Sequence, residues 1–259
     1  MRIGFAGAGN IAAALARGWA GASRGPEAML FSDAGSGRAV QLADEVGGEA
    51  VATNEELARR TDAVVLAMKP AGVDEAAERL VAGGVNAVAS VLAATPVVRL
   101  RDLFPGVPVV RLMPTLTAEV QRGVICHSPV PPDEGGDAAQ LLSLFGQLGH
   151  LAEVPDERMD AATAVMGCSP AYVTIVVQTL AEAGAAEGLD PEQAHELVVE
   201  AFDGTIELLR RYDPITVRAS VASRGGATEA GLEALADAGV ADGFRAAVDA
   251  SLERMRGIG

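Results

Sequence analysis

A glycine-rich stretch near the N-terminus constrains the fold of this chain more than any other feature. The run Gly7-Ala8-Gly9-Asn10-Ile11-Ala12 fits the pattern G-x-G-x-x-G/A. It directly follows the apolar run 2–6, which we predict to be a β-strand, and it opens a segment with helical periodicity. A strand, a glycine turn and a helix in this order are typical of the first βαβ unit of a Rossmann-type domain, which binds a dinucleotide.

The residues of this turn each have a predicted role in cofactor binding. Gly7 permits the tight turn, and Gly9 lets the pyrophosphate approach the backbone. Asn10 and Ile11 lie at the start of the helix, whose free N–H groups and dipole favour phosphate. Ala12 allows the helix to pack closely on the strand. The alternative interpretation, a glycine turn without a ligand, fits this strand-and-helix context less well.

The rest of the first half predicts a doubly wound parallel sheet. Predicted strands cover 2–6, 28–32, 63–68, 87–92, 107–113 and 123–127, and predicted helices cover 11–22, 37–46, 55–60 and 73–81. The run Ala63-Val64-Val65-Leu66-Ala67-Met68 is continuously apolar, which is typical of a parallel strand buried on both faces. The alternation of strands and helices predicts the α/β class.

The second half has a different character. After Pro155 the strand-like runs stop and helical periodicity dominates, with long helices predicted over 171–187 and 193–211. We therefore predict two domains. Residues 1–154 form the dinucleotide-binding domain, and residues 155–259 form an all-helical domain.

Charge and composition exclude several kinds of partner. The net charge of −15 repels a phosphate backbone, which argues against nucleic acid. No uninterrupted apolar run reaches the roughly 18 residues of a membrane span. No targeting segment precedes the first strand, so we expect a cytoplasmic protein without a membrane partner. The 3 histidines and 2 cysteines show no metal-ligand spacing, so no metal is expected.

Asp33 ends the second predicted strand and is the candidate residue that contacts the adenosine ribose. A carboxylate here accepts a hydrogen bond from the 2′-hydroxyl of NAD and repels the 2′-phosphate of NADP, which slightly favours NADH over NADPH. Two alternatives remain open. Ser32, Ser36 and Arg38 could form a phosphate pocket, or Asp33 could serve only to form the turn before Gly35.

Further motifs follow one another along the whole chain. After the glycine turn come Leu66-Ala67-Met68-Lys69-Pro70, Arg111-Leu112-Met113-Pro114, Asp160-Ala161-Ala162-Thr163-Ala164, Ser169-Pro170-Ala171-Tyr172-Val173 and Ser223-Arg224-Gly225-Gly226-Ala227-Thr228. Together these motifs resemble the pyrroline-5-carboxylate reductase family, which catalyses the last step of proline synthesis. Their number and order make the resemblance far more specific than any one of them.

The resemblance implies an activity, a partner and a substrate loop. The activity is NAD(P)H-dependent reduction of a cyclic imino acid, 1-pyrroline-5-carboxylate, to proline. The partner is a second copy of the chain in a homodimer with interleaved C-terminal helices, sometimes assembled further into rings. The resemblance also implies that Gly225, Gly226 and Ala227 hold the substrate carboxylate through backbone N–H groups, while the Thr228 hydroxyl faces the imine nitrogen. A Gly-Gly turn before a helix fits an anion-binding nest.

Ala67, Met68, Lys69 and Pro70 are predicted to contact the cofactor. They follow a predicted parallel strand, and ligands bind beyond the carboxyl ends of such strands. The resemblance places the Lys-Pro pair near the nicotinamide-side ribose. Lys69 is also the only lysine of the chain. A need for a compact ammonium is one explanation, and chance survival of a loop lysine is the other.

The chain also departs from the resembled pattern. Where the family usually has Met-Pro-Asn-Thr-Pro and Ser-Gly-Ser-Gly-Pro, this chain has Met113-Pro114-Thr115-Leu116-Thr117 and Met166-Gly167-Cys168-Ser169-Pro170. Arg224 replaces a proline and is either a substrate contact or a solvated loop residue. Tyr172 is either a packing residue, which we favour, or a proton donor. Two other functions therefore stay open: reduction of a different imine, or cofactor binding by an inactive regulatory relative.

Overall fold

The computed structural model describes residues 1–131 and 135–257. They form two compact units. The first contains Met1–Cys168 and the C-terminal residues from Leu252 onwards, and the second contains Ser169–Ser251.

A mostly parallel sheet forms the centre of the first unit. Its strands are β1 (Arg2–Ala6), β2 (Ala28–Ser32), β3 (Glu49–Ala50), β4 (Ala63–Leu66), β5 (Val88–Ser90), β6 (Val109–Pro114), β7 (Gly123–His127) and β8 (Gly149–Glu153). The strand order is β3-β2-β1-β4-β5-β6-β7-β8, and its first six strands have the order of a Rossmann fold. Strand β7 runs antiparallel to β6, whereas the pairs from β3 to β6 are parallel. The predicted fold class is confirmed; β7 and β8, which are parallel to each other, run opposite to the other six strands.

Helices cover both faces of this sheet. They are α1 (Asn10–Ala20), α2 (Arg38–Val46), α3 (Asn54–Arg60), α4 (Val73–Ala82), α5 (Val97–Leu103), α6 (Gly135–Phe145) and α7 (Met159–Ala162). Helices α1, α2 and α6 contribute to one apolar core and α3, α4 and α5 to another. Each fully buried leucine in these cores, such as Leu15 or Leu80, contributes about 1.5–3 kcal/mol to folding. The predicted strands and helices do not include β3, β8, α5 or α6.

The first unit extends beyond the predicted boundary near Pro155. Met159 packs in a small core with Met113 and Cys126 from the sheet. The buried guanidinium of Arg111 on β6 pairs with Asp156 at 2.8 Å and with Asp160 at 3.5 Å. Because removing one partner of a buried ion pair is costly, these contacts bind the start of the helical region to the sheet.

The second unit consists of helices. They are α8 (Ser169–Ala186), α9 (Pro191–Leu209), α10 (Pro214–Val221), α11 (Ala227–Asp237) and the first part of α12 (Val240–Arg256). Few of its described apolar side chains are buried, and many are exposed, including Ile175, Leu197, Ile215 and Val221. Within the described residues, the helical stretch Asp156–Ala186 has the length and apolar composition of a membrane span, a test that helices of soluble proteins also pass.

Candidate active site

A cleft of about 630 Å³ lies beyond the carboxyl ends of β1, β2 and β4. Its walls come from the β1–α1 turn, the loop after β2, the start of α3, the segment after β4 and one side of α4. The cleft brings together most of the predicted cofactor residues: Gly7, Gly9, Asn10, Ile11, Asp33, Ala67, Met68 and Lys69. Pro70 begins the adjoining 3₁₀ turn Pro70–Gly72 and does not line the cleft.

Gly7 and Gly9 differ in why each must be small. Gly7 has a φ of +103°, and a Cβ there would lie 2.7 Å from the Ala67 carbonyl carbon and the Met68 nitrogen. Gly7 is therefore required by the fold itself. A Cβ on Gly9 would lie 3.8 Å from the Ala67 oxygen, an ordinary contact. The free protein thus has room for a side chain at Gly9, as expected if this space serves a ligand.

Within the described residues, the N-terminus of α1 offers unpaired donors to the cleft. Gly9 is the N-cap residue and supplies no side-chain cap. The N–H of Ala13 makes the first intrahelical bond, to the Gly9 carbonyl at 2.9 Å, so the N–H groups of Asn10 and Ile11 precede the helical ladder. Free N–H groups and a helix dipole that face a cleft suit a pyrophosphate.

The Asp33 carboxylate is held by its own loop. One oxygen accepts the Gly35 N–H at 2.9 Å, and the other accepts the Ser36 hydroxyl at 2.7 Å and the Ala39 N–H at 2.9 Å. Partial burial favours the neutral acid, but the hydrogen bonds from Ala39 and Ser36 outweigh it and lower the pKa of Asp33. The wall of the cleft therefore carries a fixed negative charge at neutral pH.

Lys69 is exposed and lies in the segment that follows β4. Ala67 is buried beside Gly7, and Met68 is half-buried. The 3₁₀ turn that Pro70 begins leads directly into α4. The Lys69 ammonium is thus accessible to solvent and lines the cleft.

The cleft also contains residues that the sequence patterns did not single out. Thr53 caps α3 and accepts the Glu56 N–H at 3.2 Å. Asn54, the first residue of α3, accepts the Ser32 hydroxyl at 2.6 Å. The amide nitrogen of Asn54 is left as a donor beside the cleft. A Thr-Asn pair before an acidic first helical turn is a signal for a helix start, not for a ligand, so it points to this site only once the fold is known.

The loop that precedes α11, in the second unit, has the turn that the sequence predicts. Gly225 has a φ of +72°, and Gly226 is the N-cap residue of α11. The Gly226 N–H donates to the Ser223 carbonyl at 2.9 Å. In the described part of the chain no side chain caps α11, and the N–H groups of Ala227 and Thr228 have no hydrogen-bond partner. This helix start can accept a carboxylate.

Comparison with known proteins gives matches along the entire chain. Residues 156–258 match the family model described as pyrroline-5-carboxylate reductase dimerisation, and residues 2–93 match one described as NADP oxidoreductase, coenzyme F420-dependent. A pyrroline-5-carboxylate reductase of Synechocystis sp. is 32% identical, with 100% of this chain and 98% of the relative covered. One from Pseudomonas aeruginosa is 31% identical, with 97% and 93% covered. The chain belongs to the pyrroline-5-carboxylate reductase family.

Solved structures of this family have the same fold. The crystal structure of Plasmodium falciparum pyrroline carboxylate reductase with NADP bound has a TM-score of 0.89 at 25% identity, with 100% of this chain and 98% of that chain covered. The enzyme from Streptococcus pyogenes has a TM-score of 0.86 at 22% identity, with 99% and 98% covered. The match to the NADP-bound structure, with the NADP oxidoreductase family model, supports a nicotinamide cofactor for this member.

The match to a dimerisation model indicates that the helical region forms an oligomer. A groove of about 600 Å³ runs between α8 and α9, and its apolar lining includes Val173, Val177 and Val199. Exposed apolar surface of this extent is typical of a protein–protein interface.

The structure shows the contacts made by residues at or near the positions where this chain departs from the family pattern. The Thr115 hydroxyl lies 2.7 Å from the Thr117 hydroxyl and accepts the Val124 N–H at 3.0 Å, so its polar group is used by its own loop. Met166 lies in a π-helical turn, Thr163–Gly167, and packs with the apolar core around Met113. The Tyr172 hydroxyl lies 2.9 Å from that of Ser251, which supports a packing role.

Proposed function

We propose that this chain reduces 1-pyrroline-5-carboxylate to proline with a nicotinamide cofactor. The observation that carries this proposal is the start of α11. There, a Gly-Gly turn presents the unpaired N–H groups of Ala227 and Thr228 together with the Thr228 hydroxyl. The full-length similarity to relatives named pyrroline-5-carboxylate reductase supports the same activity.

The cofactor is assigned to the cleft of the first unit. Gly9 leaves space for the pyrophosphate, and the N–H groups of Asn10 and Ile11 donate to it. Ala67, Met68 and Lys69 form the wall on the other side of Gly7, with Pro70 fixing the turn behind them. When bound, the reduced nicotinamide supplies a hydride to the carbon of the C=N bond while the nitrogen takes up a proton.

The substrate is assigned to the loop of the second unit. Its carboxylate accepts hydrogen bonds from the N–H groups of Ala227 and Thr228, within the turn formed by Gly225 and Gly226. The Thr228 hydroxyl orients the imine nitrogen. Arg224 adds a permanent positive charge to the loop, which favours an anionic substrate. The protein's contribution is thus to orient the substrate and to hold its charge.

For the choice of cofactor we propose NADH. Asp33 is ionised and fixed, so a 2′-phosphate beside it meets a like charge. The proton of the Ser36 hydroxyl is already donated to Asp33, which leaves Arg38 as the nearby group for a phosphate. A comparison of kcat/KM for NADH and NADPH tests this. A preference for NADPH that disappears in Arg38→Ala would show instead that Arg38 binds the 2′-phosphate.

A panel of cyclic imino acids tests the activity itself. Oxidation of NADH and NADPH is followed with 1-pyrroline-5-carboxylate, with the six-membered analogue and with 1-pyrroline, while cofactor binding is measured separately. We expect turnover of 1-pyrroline-5-carboxylate with the highest kcat/KM. Preference for another imine would identify a related reductase, and cofactor binding without turnover would identify a regulatory relative.

We further propose that residues 155–259 form the substrate-binding and dimerisation region and that the partner is a second copy of the chain. The membrane-length stretch Asp156–Ala186 lies wholly within the segment matched by the dimerisation model. A protein partner, rather than lipid, accounts for its exposed apolar side chains. A soluble homodimer without nucleic acid, located in the cytoplasm, is the assembly that fits this proposal.

A further inference from the structure

The carboxylate of Glu229 is bound to the substrate loop itself. Its Oε2 atom accepts the N–H of Gly225 at 2.6 Å, and Glu229 lies in the first turn of α11. We infer that Glu229 is a positioning residue that holds the Gly-Gly turn in its binding conformation; this inference rests on the proposed function. Nothing in the motifs above assigns a role to this residue.

The hydrogen bond divides the donors of the loop into two groups. The Gly225 N–H is taken by Glu229, and the Gly226 N–H is taken by the Ser223 carbonyl. The next two N–H groups, those of Ala227 and Thr228, remain unpaired in the described part of the chain. The first N–H groups after the turn that are available to a substrate carboxylate are therefore those of Ala227 and Thr228, whereas Gly225 and Gly226 shape the turn.

Gly225 has more backbone freedom to lose than a residue with a side chain. It has a φ of +72°, and a glycine visits both signs of φ readily in a free chain. A carboxylate from the first helical turn that reaches back to an N–H ahead of the helix fixes that residue, as in a capping box. Holding Gly225 keeps the Ala227 and Thr228 N–H groups aligned before the substrate arrives, which lowers the entropy cost of binding.

Glu229 could instead weaken substrate binding, and this opposite effect is also testable. The negative charge of Glu229 lies on the loop assigned to a negatively charged substrate. If it competed for the donors, its removal would tighten binding, whereas loss of a positioning contact weakens it. The amide in Glu229→Gln separates the two cases, because its oxygen still accepts the Gly225 N–H without the charge.

Three variants of the full-length protein test the inference: Glu229→Ala, Glu229→Gln and Glu233→Ala. Glu233 is the matched control, an exposed acid of the same helix. We expect Glu229→Ala to raise KM for 1-pyrroline-5-carboxylate by about three- to tenfold, as for loss of one hydrogen bond, with kcat and the cofactor KM little changed. Glu229→Gln and Glu233→Ala should resemble the parent chain.

A substrate without a carboxylate distinguishes positioning of the donors from a general structural role. With 1-pyrroline, Glu229→Ala should leave KM unchanged. An equal rise in KM for both substrates, an unchanged KM for the imino acid, or a lower KM in either Glu229 variant would each overturn the inference. Inactivity of the parent chain on 1-pyrroline-5-carboxylate would refute the proposed function instead. Calorimetric binding of proline to the parent chain and to Glu229→Ala would then still decide whether Glu229 positions the loop.

Discussion

The hydroxyl of Thr228 is the polar side-chain group that the proposed mechanism needs most. We predict that Thr228→Val, which keeps the shape of the side chain, lowers kcat by roughly ten- to a thousandfold with little change in cofactor affinity. Thr228→Ser retains the hydroxyl and serves as the control, with most of the activity kept. Steady-state kinetics and cofactor titration measure both variants. Full turnover by Thr228→Val would remove this hydroxyl from the mechanism.

Lys69 allows a test of the cofactor cleft with very little background. It is the only lysine, so an amine-directed reagent labels Lys69 and the N-terminal amine alone. Saturating cofactor should slow labelling of the exposed Lys69 while the N-terminal amine reacts at its former rate. Peptide mass spectrometry of timed samples gives both rates. Equal labelling of Lys69 with and without cofactor would place it outside the binding site.

The sequence predicted several residues that line the cleft but not their local partners. Gly7, Gly9 and Lys69 lie in one cleft, as the spacing of the motifs predicted. That both oxygens of Asp33 are occupied by its own loop, and that Glu229 binds Gly225, depends on backbone angles that no residue pattern specifies. Hydrogen bonds across a few residues of loop are decided by conformation rather than by residue type alone.

At the scale of elements, we predict opposite effects of alanine substitution at the two glycines of the β1–α1 turn: loss of stability at Gly7 and loss of cofactor binding at Gly9. Gly7→Ala places a Cβ against backbone at a positive φ, and we expect a loss of at least about 2 kcal/mol in the free energy of unfolding. Gly9→Ala should fold normally, because its Cβ meets only an ordinary contact, yet bind dinucleotide at least about tenfold more weakly. Thermal unfolding and cofactor titration of both variants provide the comparison. Normal cofactor affinity in Gly9→Ala would contradict the assignment of this space to the pyrophosphate.

The elements that could be predicted are those with long apolar patterns. The predicted bounds of β1, β2 and β7 coincide with the observed ones. Strand β3 contains only 2 residues, too few for a periodic pattern. Helix α6 begins at a glycine pair, which normally signals a loop. The reversal of β7 depends on tertiary pairing, which strand composition does not encode.

At the scale of the whole molecule, the exposed apolar groove predicts how the oligomer can be disrupted. Val173 lies in the groove between α8 and α9 and is 48% exposed, whereas Val40, on α2 of the first unit, is 54% exposed. We predict that Val173→Glu separates the oligomer, because an unpaired charge buried in an interface costs several kcal/mol. Val40→Glu should leave it intact. Analytical ultracentrifugation measures both variants, and an unchanged sedimentation coefficient for Val173→Glu would move the interface elsewhere.

Because few residues of the second unit are buried, the stability of its helices should depend on protein concentration. Helices α8 to α11 bury only Ala181 and Ala194 among their described residues, so in the proposed homodimer they would gain apolar contacts from the second copy. Dilution therefore withdraws part of their hydrophobic stabilisation by mass action, and the melting temperature should rise with total protein concentration. In a cell, a newly made chain would complete the burial of these helices only after meeting a second copy.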